Sequence, residues 1–466
     1  MTSEAERRLH PAAIAVEALR SALQLAGGIV LVAIFRGAAP GTAAALALAG
    51  IAAGALMGYV RWRRTAYWVD GPAVHHRSGV FTPDEKIVPS ARVQSVDTAT
   101  GPLQRLFGVV EVRVQVAGAS DADEIVLPAV THAEAARLRE ALGQPAPAPP
   151  DERVALGMRG LLLAAATGPQ ISVVISALAG VYALLNNVVD LEDGEGLVTQ
   201  LDSPGTVALA AGALLVAAYV LSFLAAIIVF AGFEVQRDAG VLRIRRGLLA
   251  RRAISVPLER VDGVVIVEGL ARGPLGLAAL RLETAAHGGE QAAGRTLLPL
   301  VRRADAEAVI ARLVPGLALA GGELERPPPR AVRRFVLVPS LAGAAAGGLA
   351  AGVLESALWP AVPVLALAGA LAGLRAHRAC GVRVAGNVVV VREARLARRT
   401  LLARRHRLQE HSLQHTPLQA RAALADLRVT VGSGGEGRAR HLDRASAEAV
   451  FGALRRTVRP PPPGPA

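Results

Sequence analysis

Ile87-Val88-Pro89-Ser90-Ala91-Arg92-Val93-Gln94 returns as Ile254-Ser255-Val256-Pro257-Leu258-Glu259-Arg260-Val261 and again as Arg404-Arg405-His406-Arg407-Leu408-Gln409, where the Pro is lost and the Arg kept. Each copy is preceded by alternating apolar residues around a turn: Ala66 to Val69 with Asp70-Gly71 and Ala73 to Val80, Phe233 to Val235 with Asp238 to Gly240 and Val241 to Leu249, Val382 to Val384 with Gly386-Asn387 and Val388 to Leu396. Period-two runs flanking Gly or Asn predict β-hairpins. Downstream, a short turn (Leu103 to Gly108, Arg272 to Gly276, Leu418 to Ala423) enters another strand, and a last strand ends at Pro128, Pro299 or Asp443. An amphipathic helix then carries Ala133-Glu134-Ala135, Ala306-Glu307-Ala308 or Ala447-Glu448-Ala449. Three copies of one β-rich unit, each closed by a helix, therefore organise the chain.

Composition adds a second class of segment. Of 466 residues, 52% are hydrophobic and only 19% charged, against about 25% charged in ordinary soluble domains. Six stretches are apolar enough to predict membrane helices of about 20 residues: Ala12 to Phe35 and Pro40 to Val60, Gly160 to Leu185 and Thr206 to Phe233, Phe335 to Leu354 and Ala357 to Leu374. The first is too long for a signal peptide and lacks an A-x-A-like site. Small residues four apart (Gly50, Gly54 and Gly58; Gly343 and Gly347; Gly348 and Gly352; Gly369 and Gly373) offer close helix contact, although a chain so rich in Ala and Gly yields such spacings by chance as well.

Arg7, Arg8, Arg61, Arg63, Arg64, Arg153, Arg159, Arg330, Arg333 and Arg334 flank these stretches, whereas Asn186 to Gly205 has no Arg or Lys and carries Asp190, Glu192, Asp193, Glu195 and Asp202. The positive-inside bias predicts cytoplasmic termini and polar regions, with that acidic loop outside. The expected plan is a hairpin at 12–60, a β-unit at 61–144, a hairpin at 160–233, a β-unit at 233–316, a hairpin at 335–374, a β-unit at 375–458 and a disordered Pro-rich tail at 459–466. Pro145 to Pro150 and Pro327 to Pro329 read as stiff spacers.

Gly79-Val80, Ile87-Val88-Pro89-x-x-Arg92-Val93-Gln94-Ser95-Val96 and Leu103-x-x-Leu106-Phe107-Gly108-Val109 resemble the YdbT-like bacterial PH-domain membrane proteins, in which a transmembrane hairpin precedes each pleckstrin-homology-like domain. The second copy keeps Arg246-Gly247-Leu248-Leu249, Pro257-x-x-Arg260-Val261 and Gly273-Pro274-Leu275-Gly276-Leu277, so Pro89, Arg92, Gly108, Pro257, Arg260 and Gly276 form the repeat signature. The third departs most, lacking the Pro and the Phe-Gly pair. The resemblance implies a mixed fold: six transmembrane helices in three hairpins, each followed by a PH-like barrel or sandwich of seven strands and a C-terminal helix. It further implies placement in the bacterial inner membrane, no catalysis, a smaller companion bearing one such domain, and a link to resistance against membrane-active peptides.

Little in the chain suggests chemistry. His411 and His415 lie four apart with His406 near, but no H-E-x-x-H occurs and the segment aligns with a strand and loop. His75 and His76 point to opposite strand faces. Asp190 to Glu195 lacks a calcium-loop pattern, Cys380 is the sole cysteine, and neither a phosphate-binding lysine loop nor a G-x-S-x-G is present. No metal, cofactor or catalytic residue is expected.

The formal charge is +13 with a single lysine, Lys86. Clusters at Arg61, Arg63 and Arg64, at Arg245, Arg246, Arg251 and Arg252, and at Arg398, Arg399, Arg404, Arg405 and Arg407 suit anionic headgroups, each Arg adding about 1 kcal/mol near such a surface. A topology signal with solvated side chains explains them equally. Aromatics, at 3%, are too scarce for nucleic-acid stacking. The sequence thus reads as a non-catalytic membrane scaffold binding anionic lipid or protein, with edge strands that allow a homo-oligomer. A transporter is the alternative, although the hairpins contain few ionisable residues, and Glu17 and Arg20, near an end, can snorkel.

Overall fold

The computed structural model describes residues 6–19, 40–70, 73–79, 82–116, 125–143, 151–168, 204–238, 240–284, 296–317, 323–353, 359–395 and 397–455. Arg20, the acidic loop 186–203, the spacer 145–150 and the tail 460–465 lie outside them.

Each repeat brings the same strands in the same order. Copy one has β1 (Arg7–Arg8), β2 (Ala66–Asp70), β3 (Ala73–Ser78) and β4 (Asp84–Pro89), then β5 (Val93–Thr100), β6 (Val109–Val116) and β7 (Ile125–Thr131) before the helix His132–Ala141. Copy two has β8 (Glu152–Ala155), β9 (Glu234–Asp238), β10 (Val241–Arg246), β11 (Arg251–Pro257), β12 (Val261–Glu268), β13 (Leu277–Thr284), β14 (Thr296–Arg302) and the helix Ala306–Leu313. Copy three replaces the first strand by a single bridge, Glu325 to Val382, and continues with β15 (Gly381–Ala385), β16 (Val388–Ala394), β17 (Arg398–Arg404), β18 (Leu408–Gln414), β19 (Leu424–Val431), β20 (Glu436–Asp443) and the helix Arg444–Arg455.

The sheets do not respect the repeat boundaries. Their strand orders are β1-β2-β3-β4, β7-β6-β5-β11-β10-β9-β8, β14-β13-β12-β17-β16-β15 and β18-β19-β20. The second half of copy one continues into the first half of copy two, and the second half of copy two into the first half of copy three. Both joins are antiparallel: Arg251, Arg252 and Ala253 oppose Thr100, Ala99 and Thr98, while Arg398 through Ala403 oppose Glu268 through Gly263.

Accordingly the chain divides into two compact units, Met1–Ala155 with Ile228–Pro257 and Ala286–Gln291, and Leu156–Ile227 with Leu258–Ala285 and Ala292–Ala466. In the first, Tyr67, Val74 and Val88 pack with Val96, Val112, Val114, Ile125, Leu127 and the helix residues Leu138 and Leu142. In the second, Val382, Val389, Val391, Leu401 and Ala403 pack with Leu427, Val429, Val431, Leu442 and Leu454. Copies one and three are thus helix-closed sandwiches, their alternating apolar residues turned onto one core.

The recurring Pro-x-x-Arg becomes a one-turn 3-10 helix in every copy: Ser90–Arg92, Leu258–Arg260 and Arg405–Arg407. Pro89 enters it at φ −61°, the angle its ring imposes. A β-bulge follows immediately each time, between Val93 and Ser95, Val261 and Gly263, and Leu408 and Glu410. Such an extra residue bends the strand and raises its twist, so turn and bulge together swing the chain from the first sheet to the second.

Among the described residues the expected membrane helices are not found. Among the described residues no helix is long and apolar enough to cross a membrane. Val332–Val353 opens among Arg333 and Arg334 and contains Pro339, and Ala361–Ala379 ends on Arg375, His377 and Arg378. Most of Ala12 to Phe35 and Gly160 to Leu185 lies outside the described residues.

What the small residues do is visible between Val332–Val353 and Ala361–Ala379. A Cβ on Gly343 would fall 2.1 Å from the Leu365 carbonyl oxygen, on Gly369 2.1 Å from that of Pro339, and on Gly373 2.2 Å from that of Phe335. The two backbones touch. Gly348 and Gly352 meet nothing and carry no such contact.

Two consequences are measurable. The turn before the second-last strand needs a left-handed residue, which is Gly108 (φ 64°), Gly276 (φ 63°) and, in copy three, Ala423 (φ 51°). A side chain there costs about 1 kcal/mol, so in denaturant unfolding Ala423→Gly is expected to stabilise its unit by about that amount and Gly108→Ala to destabilise its own. Secondly, His76 is buried with neither ring nitrogen hydrogen-bonded, and burial, aided by Lys86, holds its pKa below the usual 6.5. The folded state binds the proton less well than the unfolded chain. Its contribution is therefore complete above about pH 6.5 and lost as the pH falls below it, and His76→Leu is expected to flatten the thermal-stability profile of the first unit between pH 7 and 5 (about two pH units).

Candidate functional site

The basic residues singled out by sequence separate into three groups. Arg61, Arg63 and Arg64 form the exposed last turn of the helix Pro40–Arg64. This placement complements the negative end of the helix dipole.

The copy-three group is largely consumed by the fold. Arg398 pairs at 3.3 Å with Glu268, a buried carboxylate that also receives Arg303 at 3.2 Å. Arg405 donates to the carbonyls of Ala453 and Gly386, and Arg407 to that of Glu259. Arg404 lies against Gly316. Arg399 remains exposed. Several flanking arginines are engaged likewise: Arg7 pairs with Glu134 at 2.7 Å, Arg330 bonds the Ala422 and Ala423 carbonyls and Asp443, and Arg334 bonds the Leu418 carbonyl. Sequence reading had given these a purely topological meaning.

Arg245, Arg246, Arg251 and Arg252 come together on the β10–β11 hairpin. Arg246 and Arg252 are direct cross-strand partners, and Arg245 opposes Ala253. Arg245, Arg251 and Arg252 are exposed, whereas Arg246 is only 5% exposed and its Nη1 has no hydrogen-bond partner among the described residues. Burial first, then Arg252, pulls its pKa down to about 10. It stays charged at neutral pH, so a like-charged cross-strand pair is held on one face of the hairpin.

The turn between these strands is made by Gly247 at φ 108°, where a Cβ would lie 1.9 Å from the Ala250 oxygen. Gly247 N donates to the Ala231 oxygen at 2.8 Å and Leu248 N to the Ile228 oxygen at 2.9 Å, tying the tip to the end of the helix Pro204–Phe230. These bonds satisfy carbonyls a helix end leaves open. Arg105 Nη2 reaches the Leu248 oxygen at 3.0 Å and fixes the tip from copy one.

At that tip Leu248 and Leu249 are 52% and 49% exposed. Leu106 and Phe107, following Arg105, are exposed as well. Sequence reading missed this apolar half of the site: it noted Arg246-Gly247-Leu248-Leu249 only as part of the family resemblance, whereas the left-handed Gly247 turn leaves the leucines exposed.

The signature residues are structural by position. Pro89 and Pro257 end β4 and β11, and Arg92 and Arg260 close the 3-10 turns. Gly108 and Gly276 hold left-handed turns. Of the other groups considered, His411 packs at 5.0 Å on the Phe451 ring, and the buried Cys380 thiol is pushed up to about 11, which leaves no thiolate at neutral pH. Among the described residues no set of three His, Cys, Asp or Glu is placed to hold a metal.

The bacterial PH domain model matches three times, over residues 21–146, 172–315 and 335–458. The chain is 23% identical over 362 residues to the UPF0699 transmembrane protein YdbT of Bacillus subtilis (strain 168), covering 71% of this chain and 73% of that protein. It is 33% identical over 85 residues to the UPF0699 transmembrane protein YdbS of the same organism, 18% of this chain and about half (51%) of YdbS. No solved structure matches. With three matches that together span most of its length, each on one of the repeats described above, the chain belongs to the bacterial PH domain family.

Proposed function

We propose that this protein is a membrane-associated, non-catalytic scaffold whose PH-like repeats bring the β10–β11 hairpin against an anionic lipid surface. The observation that carries the reading is the pairing of the exposed Leu248-Leu249 tip with Arg245, Arg251 and Arg252 at its base. Apolar side chains that enter the headgroup region, ringed by cations that meet phosphates, are the two elements of interfacial membrane binding. Buried Arg246, its Nη1 without a hydrogen-bond partner among the described residues, is suited to a headgroup phosphate. The relative YdbT is named a transmembrane protein, and the exposed Leu337, Val338, Leu341, Val364, Leu367 and Leu371 on the helices Val332–Val353 and Ala361–Ala379 give the second unit apolar surface of its own. Membership of the bacterial PH domain family is what supports a non-catalytic role.

Flotation of the full chain with vesicles tests this. Replacing Arg245, Arg251 and Arg252 together by Gln removes about 3 kcal/mol near the surface, so binding to phosphatidylcholine vesicles containing phosphatidylglycerol is expected to weaken roughly 10²-fold. Binding to phosphatidylcholine alone should not change. Equal binding of both proteins to the anionic vesicles would contradict the headgroup contact. Arg246→Met separates architecture from function: by removing a buried charge it is expected to raise the thermal midpoint while lowering the affinity for phosphatidylglycerol.

A further inference from the structure

The two joins between repeats follow one rule, and one edge of each kind is left over. In both joins the first strand of a repeat's second half takes the last strand of the next repeat's first half. With Arg92, Arg260 and Arg407 as equivalent positions, Thr100, Glu268 and His415 correspond, as do Pro83, Arg251 and Arg398. Arg251 opposes Thr100 and Arg398 opposes Glu268, so the two joins share one register. Among the described residues β4 is the last strand of its sheet and β18 the first of another, and neither has a neighbour on its outer side.

We infer that β4 of one chain pairs with β18 of a second copy, continuing head to tail the sheet joining that links the repeats within a chain. The shared register places Lys86 opposite Ser412, Ile87 opposite His411 and Val88 opposite Glu410. Ile87 is 57% exposed, whereas its equivalent at the second join, Leu402, is 0% exposed and pairs with the fully buried Val264. Covering β4 would bury Ile87 against His411, which already lies on Phe451.

Charge favours this partner over the inner tail edges. The inner head strands carry Arg251-Arg252 and Arg398-Arg399, and the second of these faces Glu268. The open head strand carries Asp84 and Glu85 instead, and at the position of Glu268 the open tail carries His415, an imidazole in place of a carboxylate, while Glu410 of that tail falls opposite Val88, away from both acids. Asp84 would be repelled by Glu268, so the acidic head rejects the tail of copy two and accepts that of copy three. Both open edges belong to the same sequence and differ from each other, so the contact is heterologous and builds rings or filaments rather than a closed two-fold pair.

The test uses the full chain with Cys380→Ala, purified in detergent. One preparation carries Lys86→Cys and a second, with a size tag, carries Ser412→Cys. On mild oxidation the mixture is expected to give a disulfide between the two, neither preparation alone should give the ladder, and Gln414→Cys in place of Ser412→Cys should give at least tenfold less product. Light scattering of the unsubstituted chain should show a mass rising with concentration above the 48.0 kDa of one chain, and Ile87→Asp, on an exposed side chain, should shift that rise at least tenfold upward in concentration. A single-chain mass at all concentrations with no mixed disulfide overturns the proposal. A disulfide formed only when both cysteines are on one chain overturns it too, by showing closure within the chain.

Discussion

A strand edge presents a row of backbone donors and acceptors that must be satisfied by water or by another strand. In this protein that requirement is met between repeats. The edge of β5 is filled by β11 and the edge of β12 by β17. Where the backbone pairing of β5 and β11 stops at Thr98 and Ala253, Asp97 takes over, its Oδ1 accepting from Ser255 N at 2.9 Å. At the other join Glu268 gathers Arg303 and Arg398. The repeats are therefore segments of continuous sheets, which is why compact units cut through copy two.

This architecture explains how a strongly basic chain uses its charge. Arginines at the second join are absorbed by a buried carboxylate and by backbone carbonyls, where each guanidinium makes charge-assisted bonds. On the β10–β11 hairpin Arg243 is likewise paired, with Asp238, whereas Arg245, Arg251 and Arg252 are exposed, and beside them the fold exposes two leucines. The difference between structural and interfacial arginines is one of partners, which residue type alone does not reveal.

The hairpins around Gly386-Asn387 and Asp238 to Gly240 were legible because a period of two on either side of a turn has one structural solution. The Pro-x-x-Arg turn was legible as a recurrence, and its 3-10 geometry follows from the angle Pro89 imposes. The short strands β1 and β8 were not, because Arg7-Arg8 and Arg153 read as charged flanks while their role is backbone pairing. Nor were the sheet joins: which strand covers an edge depends on complementarity between segments more than 100 residues apart. The spanning helices were over-read, since apolar composition at Phe335 to Leu354 hid how far Gly and Ala lower its hydropathy and how closely Gly343 and Gly373 seat the neighbouring helix. At the hairpin the basic cluster was legible and the leucine tip was not, because the outward projection depends on Gly247 at a positive φ.

The most direct test of the continuous sheets is disulfide trapping across the joins in the Cys380→Ala chain. Thr98→Cys with Ala253→Cys, and Val265→Cys with Leu401→Cys, are opposed pairs at the two joins, and Arg245→Cys with Ala253→Cys is a control inside one hairpin. The account predicts that both join pairs oxidise within a single chain as completely as the control. Oxidation of the hairpin control alone, with both join pairs left as free thiols, would contradict it.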